Sequence, residues 1–175
     1  MIVDESGTNL NLTPRYARAP CGQRAYGQVP RNTPPNTTLI AALTMSGMGP
    51  AMVMSGATDT AAFEVYVTHF LAPSLRPGQI VVMDNLSAHK SRRVQEVIAA
   101  RGCELWYLPS YSPDLSPIEE AFSKLKALLR RAQARTYEAL ETAIAMALDQ
   151  ITAADARGYF GHCGYQLPTS SAHYL

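Results

Sequence analysis

Four consecutive apolar residues, Ile80 to Met83, followed at once by Asp84-Asn85, constrain this chain more than any other stretch. A short unbroken apolar run reads as a strand buried on both faces, the pattern of a parallel sheet covered by helices. An acid placed directly after such a strand emerges at the carboxyl end of the sheet, where open α/β sheets bind ligands. Downstream, Val94, Val97 and Ile98 predict a helix over 91–100 that ends near Gly102, and a further strand follows over 103–108. Ser110 to Pro117 (SYSPDLSP) breaks the chain, and Pro117 opens a helix that carries Glu119 in its first turn. Asp84 and Glu119, with 34 residues between them, therefore both sit at structural break points.

Upstream, Ile2-Val3-Asp4 begins like a buried strand, with only three residues before Asp4. Residues 11–38 hold five of the 12 prolines and read mostly as loop, a length of connection that tends to carry function. Leu39–Met45 and Ala51–Met54 form a hairpin in this reading, turned by Ser46-Gly47-Met48-Gly49. Thr58 or Asp59 caps a helix in which Phe63, Val67, Phe70 and Leu71 recur at helical spacing, ending before Pro73. Further helices are predicted from Pro117 to about Arg131, from Tyr137 to Ile151, and over 152–160; Trp106, on a strand, reads as core.

A chain of 175 residues with 47% hydrophobic content suits one globular domain and excludes a disordered one. Net charge is only +1, but two segments are locally basic: Gly7–Thr58 has four Arg and no acid, and Ala121–Arg135 has five Lys or Arg and no acid. Such segments suit a phosphate backbone, although the same runs also occur as solvated faces. Three scattered cysteines without a C-x-x-C pair argue against a disulfide framework and a zinc site, and suit a reducing compartment. No apolar run reaches the length of a membrane helix and no signal sequence is apparent, so a soluble, cytoplasmic protein without a membrane partner is expected.

The segment Met83-Asp84-Asn85 with His89, the 34-residue gap, and YSPDLSPIEEAFSKLK (111–126) together resemble the catalytic core of DDE transposases of the mariner-like superfamily, in particular its bacterial insertion-sequence branch. DESGTNL (4–10), RAPCGQ (18–23) and TAADARGYFGHCGY (152–165) extend the resemblance over about nine tenths of the chain. It implies an α/β ribonuclease H-like fold, a mixed five-stranded sheet flanked by helices, spanning residues 1–165, with 166–175 as a loose C-terminal tail. Strands one and four would lie side by side and bring Asp4 to Asp84. The implied catalytic and metal-binding residues are Asp4, Asp84 and Glu119, holding two Mg²⁺ or Mn²⁺ ions. Hard oxygen donors suit these ions, which offset the repulsion of three gathered carboxylates. The implied function is metal-dependent DNA strand cleavage and strand transfer at insertion-sequence ends. Implied partners are double-stranded DNA of element ends and target, a separate or frameshift-fused helix-turn-helix segment, and a second copy in a homodimer. Lys124, Lys126, Arg130, Arg131 and His89 are candidate DNA contacts.

Each of these residues also has a plainer reading. Asp84 suits a turn and Asp4 a loop start. Ser116-x-x-Glu119 matches a capping box, with Pro117 at the first helical position. Glu120 competes with Glu119 as the third ligand, but at about 100° per residue it points away from the apolar stripe, whereas Glu119 lies on its flank. His89 is a packing residue as readily as a phosphate contact. Alternative functions are a stand-alone nuclease, and an inactive or helper-dependent transposase fragment that only binds DNA or protein.

Overall fold

The structure is a computed structural model, and it describes residues 1–30, 35–110 and 112–166. All but the first residue of the tail read as loose, 166–175, lie outside the described residues. Strand β1 (Ile2–Thr8) is followed by a hairpin of β2 (Thr37–Thr44) and β3 (Gly47–Ser55). Helix α1 (Thr60–Tyr66) continues through a π-helical turn to Leu71 and leads to β4 (Ile80–Met83). Helix α2 (Arg92–Ala99), strand β5 (Glu104–Tyr107) and helices α3 (Pro117–Ala132), α4 (Tyr137–Asp149) and α5 (Ala153–His162) complete the chain. The sheet order is β3-β2-β1-β4-β5, with β1 antiparallel to β2 and parallel to β4.

Strand periodicity of two sorts the side chains between two helical layers. Ile2, Leu39, Ala41, Leu43 and Val82 pack with α3, α4 and α5 on one face. Val3, Ile40, Ala42, Val81 and Met83 pack with α1 and α2 on the other. Alternation then assigns the next residues: Asp4 and Asp84 fall on the α3 face, and Glu5 falls on the α1 face. The α3 face is anchored by Ile118, Phe122, Leu125 and Leu129, each no more than 2% exposed. Truncating one of these leucines to alanine should cost about 2–5 kcal/mol.

Three local expectations need correction. Asp4 is not the loop start of its plainer reading: DESGT continues as strand because each of its residues pairs with β2, from Asp4↔Ala41 to Thr8↔Thr37. Long-range pairing supplies what the polar sequence does not signal. The hairpin turns at Met45-Ser46 instead of Ser46–Gly49, since Gly47 already pairs with Thr44. Trp106 is 55% exposed, not core: β5 is the outer strand, and the indole Nε1 donates to Glu104 Oε2 at 2.9 Å.

Candidate active site

In the parallel pairing of β1 with β4, Ile2 faces Val82 and Val3 faces Met83, so the next step in register sets Asp4 beside Asp84. β4 ends at Met83 while β1 runs on against β2, which leaves an opening over the sheet at this point. The α3 helix starts across that opening. The resulting cleft, about 400 Å³, is lined by Asp4, Asp84 and Glu119 together with Asn85, Ser110 and Ser116. The structure thus brings the three sequence-derived carboxylates into one cleft.

Their environments differ. Asp4 Oδ1 accepts the Glu5 N–H at 2.8 Å, yet the carboxyl is pushed up to about 7. Burial is the main cause, and the negative charges of Glu5, Asp84 and Glu119 add to it against the opposing hydrogen bond. Asp84 goes the other way. Burial would raise it, but the close ion pair with His89, the hydrogen bond from the Leu86 N–H and the nearby charge of Lys90 hold it below its ordinary value.

His89 is the largest departure from expectation. It is 0% exposed, so it cannot offer a nitrogen to DNA and is withdrawn as a DNA contact. Its Nδ1 meets Asp84 Oδ1 at 2.5 Å, and its Nε2 meets both oxygens of Glu5 at 2.9 and 3.0 Å. Burial opposes its protonation, but bonds to Asp84 and Glu5 and the charges of both outweigh it, raising the imidazole to about 9. The ring rests on Phe63, centroids 4.1 Å apart. Glu5 has no place in the sequence-derived site, because nothing local links it to a histidine 84 positions away; only the adjacency of β1 and β4 makes the pairing readable.

At the start of α3, Pro117 occupies the first helical position as expected, but Ser116 makes no side-chain cap and the capping box does not form. Glu119 is exposed and lines the cleft, while Glu120 is engaged elsewhere by His162 Nδ1 at 2.5 Å. That pairing separates the two candidate ligands. Lys124 is tied to Asp155 of α5 at 2.7 Å, and Arg135 holds the carbonyls of Leu10 and Leu12 at 3.0 and 3.1 Å. Lys126, Arg130 and Arg131 make no ion pair or hydrogen bond among the described residues.

Among the described residues no three Asp, Glu, His or Cys side chains are already gathered into a metal chelate. The donor set nonetheless fits a divalent cation. Asp4, Asp84 and Glu119 offer hard oxygen donors to one cleft, and the reluctance of Asp4 to ionise is the electrostatic deficit a cation would relieve.

The family model for DDE superfamily endonuclease matches residues 1–141, most of the chain. This chain belongs to that family. No curated protein matches it. Among solved structures it is similar to the Mos1 transposase paired-end complex with left transposon end, at TM-score 0.72 and 18% identity, covering 93% of this chain and 50% of that one. It is also similar to the catalytic domain of Mos1 mariner transposase, at TM-score 0.60 and 17% identity, covering 93% of this chain and 74% of that one. A Mos1 mariner paired-end complex with Mg aligns at TM-score 0.62 and 20% identity, covering 93% and 53%. The chain thus spans about half the length of the Mos1 transposase in those complexes. At these identities the likeness establishes the fold: the DDE chain has the ribonuclease H-like architecture, a mixed five-stranded sheet flanked by helices. No described helix is long and apolar enough to cross a membrane.

Proposed function

We propose that this DDE-family chain is the catalytic domain of a mariner-like transposase of the bacterial insertion-sequence branch, cutting and joining DNA at element ends. The observation that carries the reading is the cleft itself: Asp4, Asp84 and Glu119 enter it from β1, the end of β4 and the first turn of α3, in a chain matched by the family. These carboxylates would hold two Mg²⁺ or Mn²⁺ ions, which when bound activate an attacking oxygen and stabilise a leaving one in phosphodiester displacement. Asp84 is better prepared than Asp4, being held ionised by His89 and the Leu86 N–H. A cation sharing the cleft would favour the ionised form of Asp4, which burial and the neighbouring carboxylates disfavour.

The DNA strand would reach the cleft along α3. Glu119, Ser123, Lys126 and Arg130 follow one another at four, three and four residues, a single stripe of the helix. At 1.5 Å per residue the two cations stand about 10 and 16 Å along the axis from Glu119, a spacing suited to successive phosphates. Lys124 and Arg131 lie off this stripe, and Lys124 is held by Asp155. Element-end and target DNA, a helix-turn-helix segment, a second copy of the chain and a cytoplasmic setting belong to the same proposal. The complexes with transposon ends among the similar structures support the DNA partner.

The test is cleavage of supercoiled plasmid in Mn²⁺, with joined products scored beside nicked ones. Metal-dependent nicking with joining supports the transposase reading, and nicking alone favours the stand-alone nuclease. Equal nicking by wild type and Asp84→Asn would remove the cleft from the chemistry.

A further inference from the structure

Asp84 lies just past the end of β4, with its side chain 39% exposed, where nothing in the strand itself fixes the carboxylate plane. Yet one of its oxygens is doubly held. Oδ1 accepts the Leu86 N–H at 3.0 Å and meets His89 Nδ1 at 2.5 Å, whereas Oδ2 has no hydrogen bond among the described residues and belongs to a side chain that lines the cleft. The group that holds it is held in turn. His89 is fully buried, its Nε2 lies between both oxygens of Glu5, its ring rests on Phe63, and its carbonyl accepts the Tyr107 hydroxyl at 3.1 Å. Glu5 follows Asp4 directly in β1, and alternation sends the two acids to opposite faces of the sheet.

We propose that Glu5 and His89 form a positioning relay behind Asp84, locking Oδ1 inward so that Oδ2 is presented to a divalent cation in the cleft. The inference rests on the metal-site reading above and deepens it. β1 then serves the cleft twice, through Asp4 as a donor and through Glu5 as the anchor of the group that orients the second donor. Partners of this kind, hydrogen-bonded to a ligand without touching the ion, typically change metal affinity about 10–100-fold when removed.

The relay makes an ordering that a merely structural buried network does not. The amide nitrogen of Asn can stand where His Nδ1 stands and that of Gln where Nε2 stands, so Asn can keep the bond to Asp84 and Gln only the bond to Glu5. The probe is Mn²⁺ alone, its binding to the 175-residue chain read from loss of the free-ion paramagnetic resonance signal, with no DNA and no turnover. His89→Asn should weaken Mn²⁺ about threefold or less and His89→Gln about tenfold or more; Glu5→Gln, which still accepts from Nε2, should stay near wild type while Glu5→Ala loses about tenfold. Should the His89 variants not fold, the Glu5 pair carries the same comparison. Equal Mn²⁺ affinity in wild type and Glu5→Ala, with Asp84→Asn unable to bind, overturns the relay and leaves the metal site standing. Wild-type affinity in Asp84→Asn overturns the metal site itself, and the relay with it.

Discussion

Replacing Asp4 by Asn should stabilise the metal-free protein at neutral and alkaline pH. The folded chain holds the Asp4 carboxyl at about 7 against an ordinary value of 3.8. Below about 3.8 both the folded and unfolded states are protonated and Asp4 contributes no cost. As pH rises from 3.8 to about 7, the unfolded chain ionises freely while the folded one resists, so stability is lost across that window and stays lost above it. At about 1.4 kcal/mol per pH unit, the interval sets a ceiling of roughly 4 kcal/mol. Asp4 is partly exposed, and solvent screening brings the expected effect to about 1–2 kcal/mol. Asn keeps an oxygen for the Glu5 N–H and cannot ionise, so the variant should match wild type near pH 4 and exceed it by that amount at pH 8. Urea unfolding in EDTA across this range measures the difference directly. A difference that stays flat with pH, or a variant less stable at pH 8, would refute the argument that burial and neighbouring carboxylates set the Asp4 equilibrium.

Asp84→Asn should do the opposite in metal-free protein, lowering the urea midpoint, because the anion it removes is the one His89 and Leu86 stabilise. His89, raised to about 9, contributes stability that is complete below about 6.5 and lost as pH climbs through 9; His89→Gln should lack that alkaline limb in urea titrations between pH 6 and 10. Glu119→Gln should abolish plasmid nicking while Glu120→Gln leaves it intact, and the reverse pattern would exchange the third ligand. Lys126→Ala and Arg130→Ala should each weaken DNA binding and reduce its log–log salt slope by about 1, whereas Lys124→Ala should change the slope little, as fluorescence anisotropy over a salt series would show.

What the sequence discloses about this fold is local or periodic. The IVVM run, the proline at the first position of α3 and the apolar stripe of Ile118, Phe122, Leu125 and Leu129 each carry their own signal, and each stands where that signal puts it. The departures have a common cause in contacts between distant segments. DESGT is strand because β2 pairs with it, and Trp106 is exposed because β5 closes the sheet. Asp84 carried a local signal, an acid directly after a buried apolar run, whereas Asp4 and Glu119 were joined to it by the resemblance to the DDE pattern. The Glu5–His89 pair was not legible, since a histidine reads the same in sequence whether it faces solvent or lies between two carboxylates.

The central claim is that Asp4, Asp84 and Glu119 together form a divalent-metal centre. Crystals soaked in Mn²⁺ and measured at the manganese absorption edge test it most directly. The account predicts anomalous density in the cleft, bonded to oxygens of all three side chains at about 2.1–2.3 Å and lost in Asp84→Asn. Manganese bound only elsewhere, at Glu120 and His162 for example, with an empty cleft in the wild type, would contradict it.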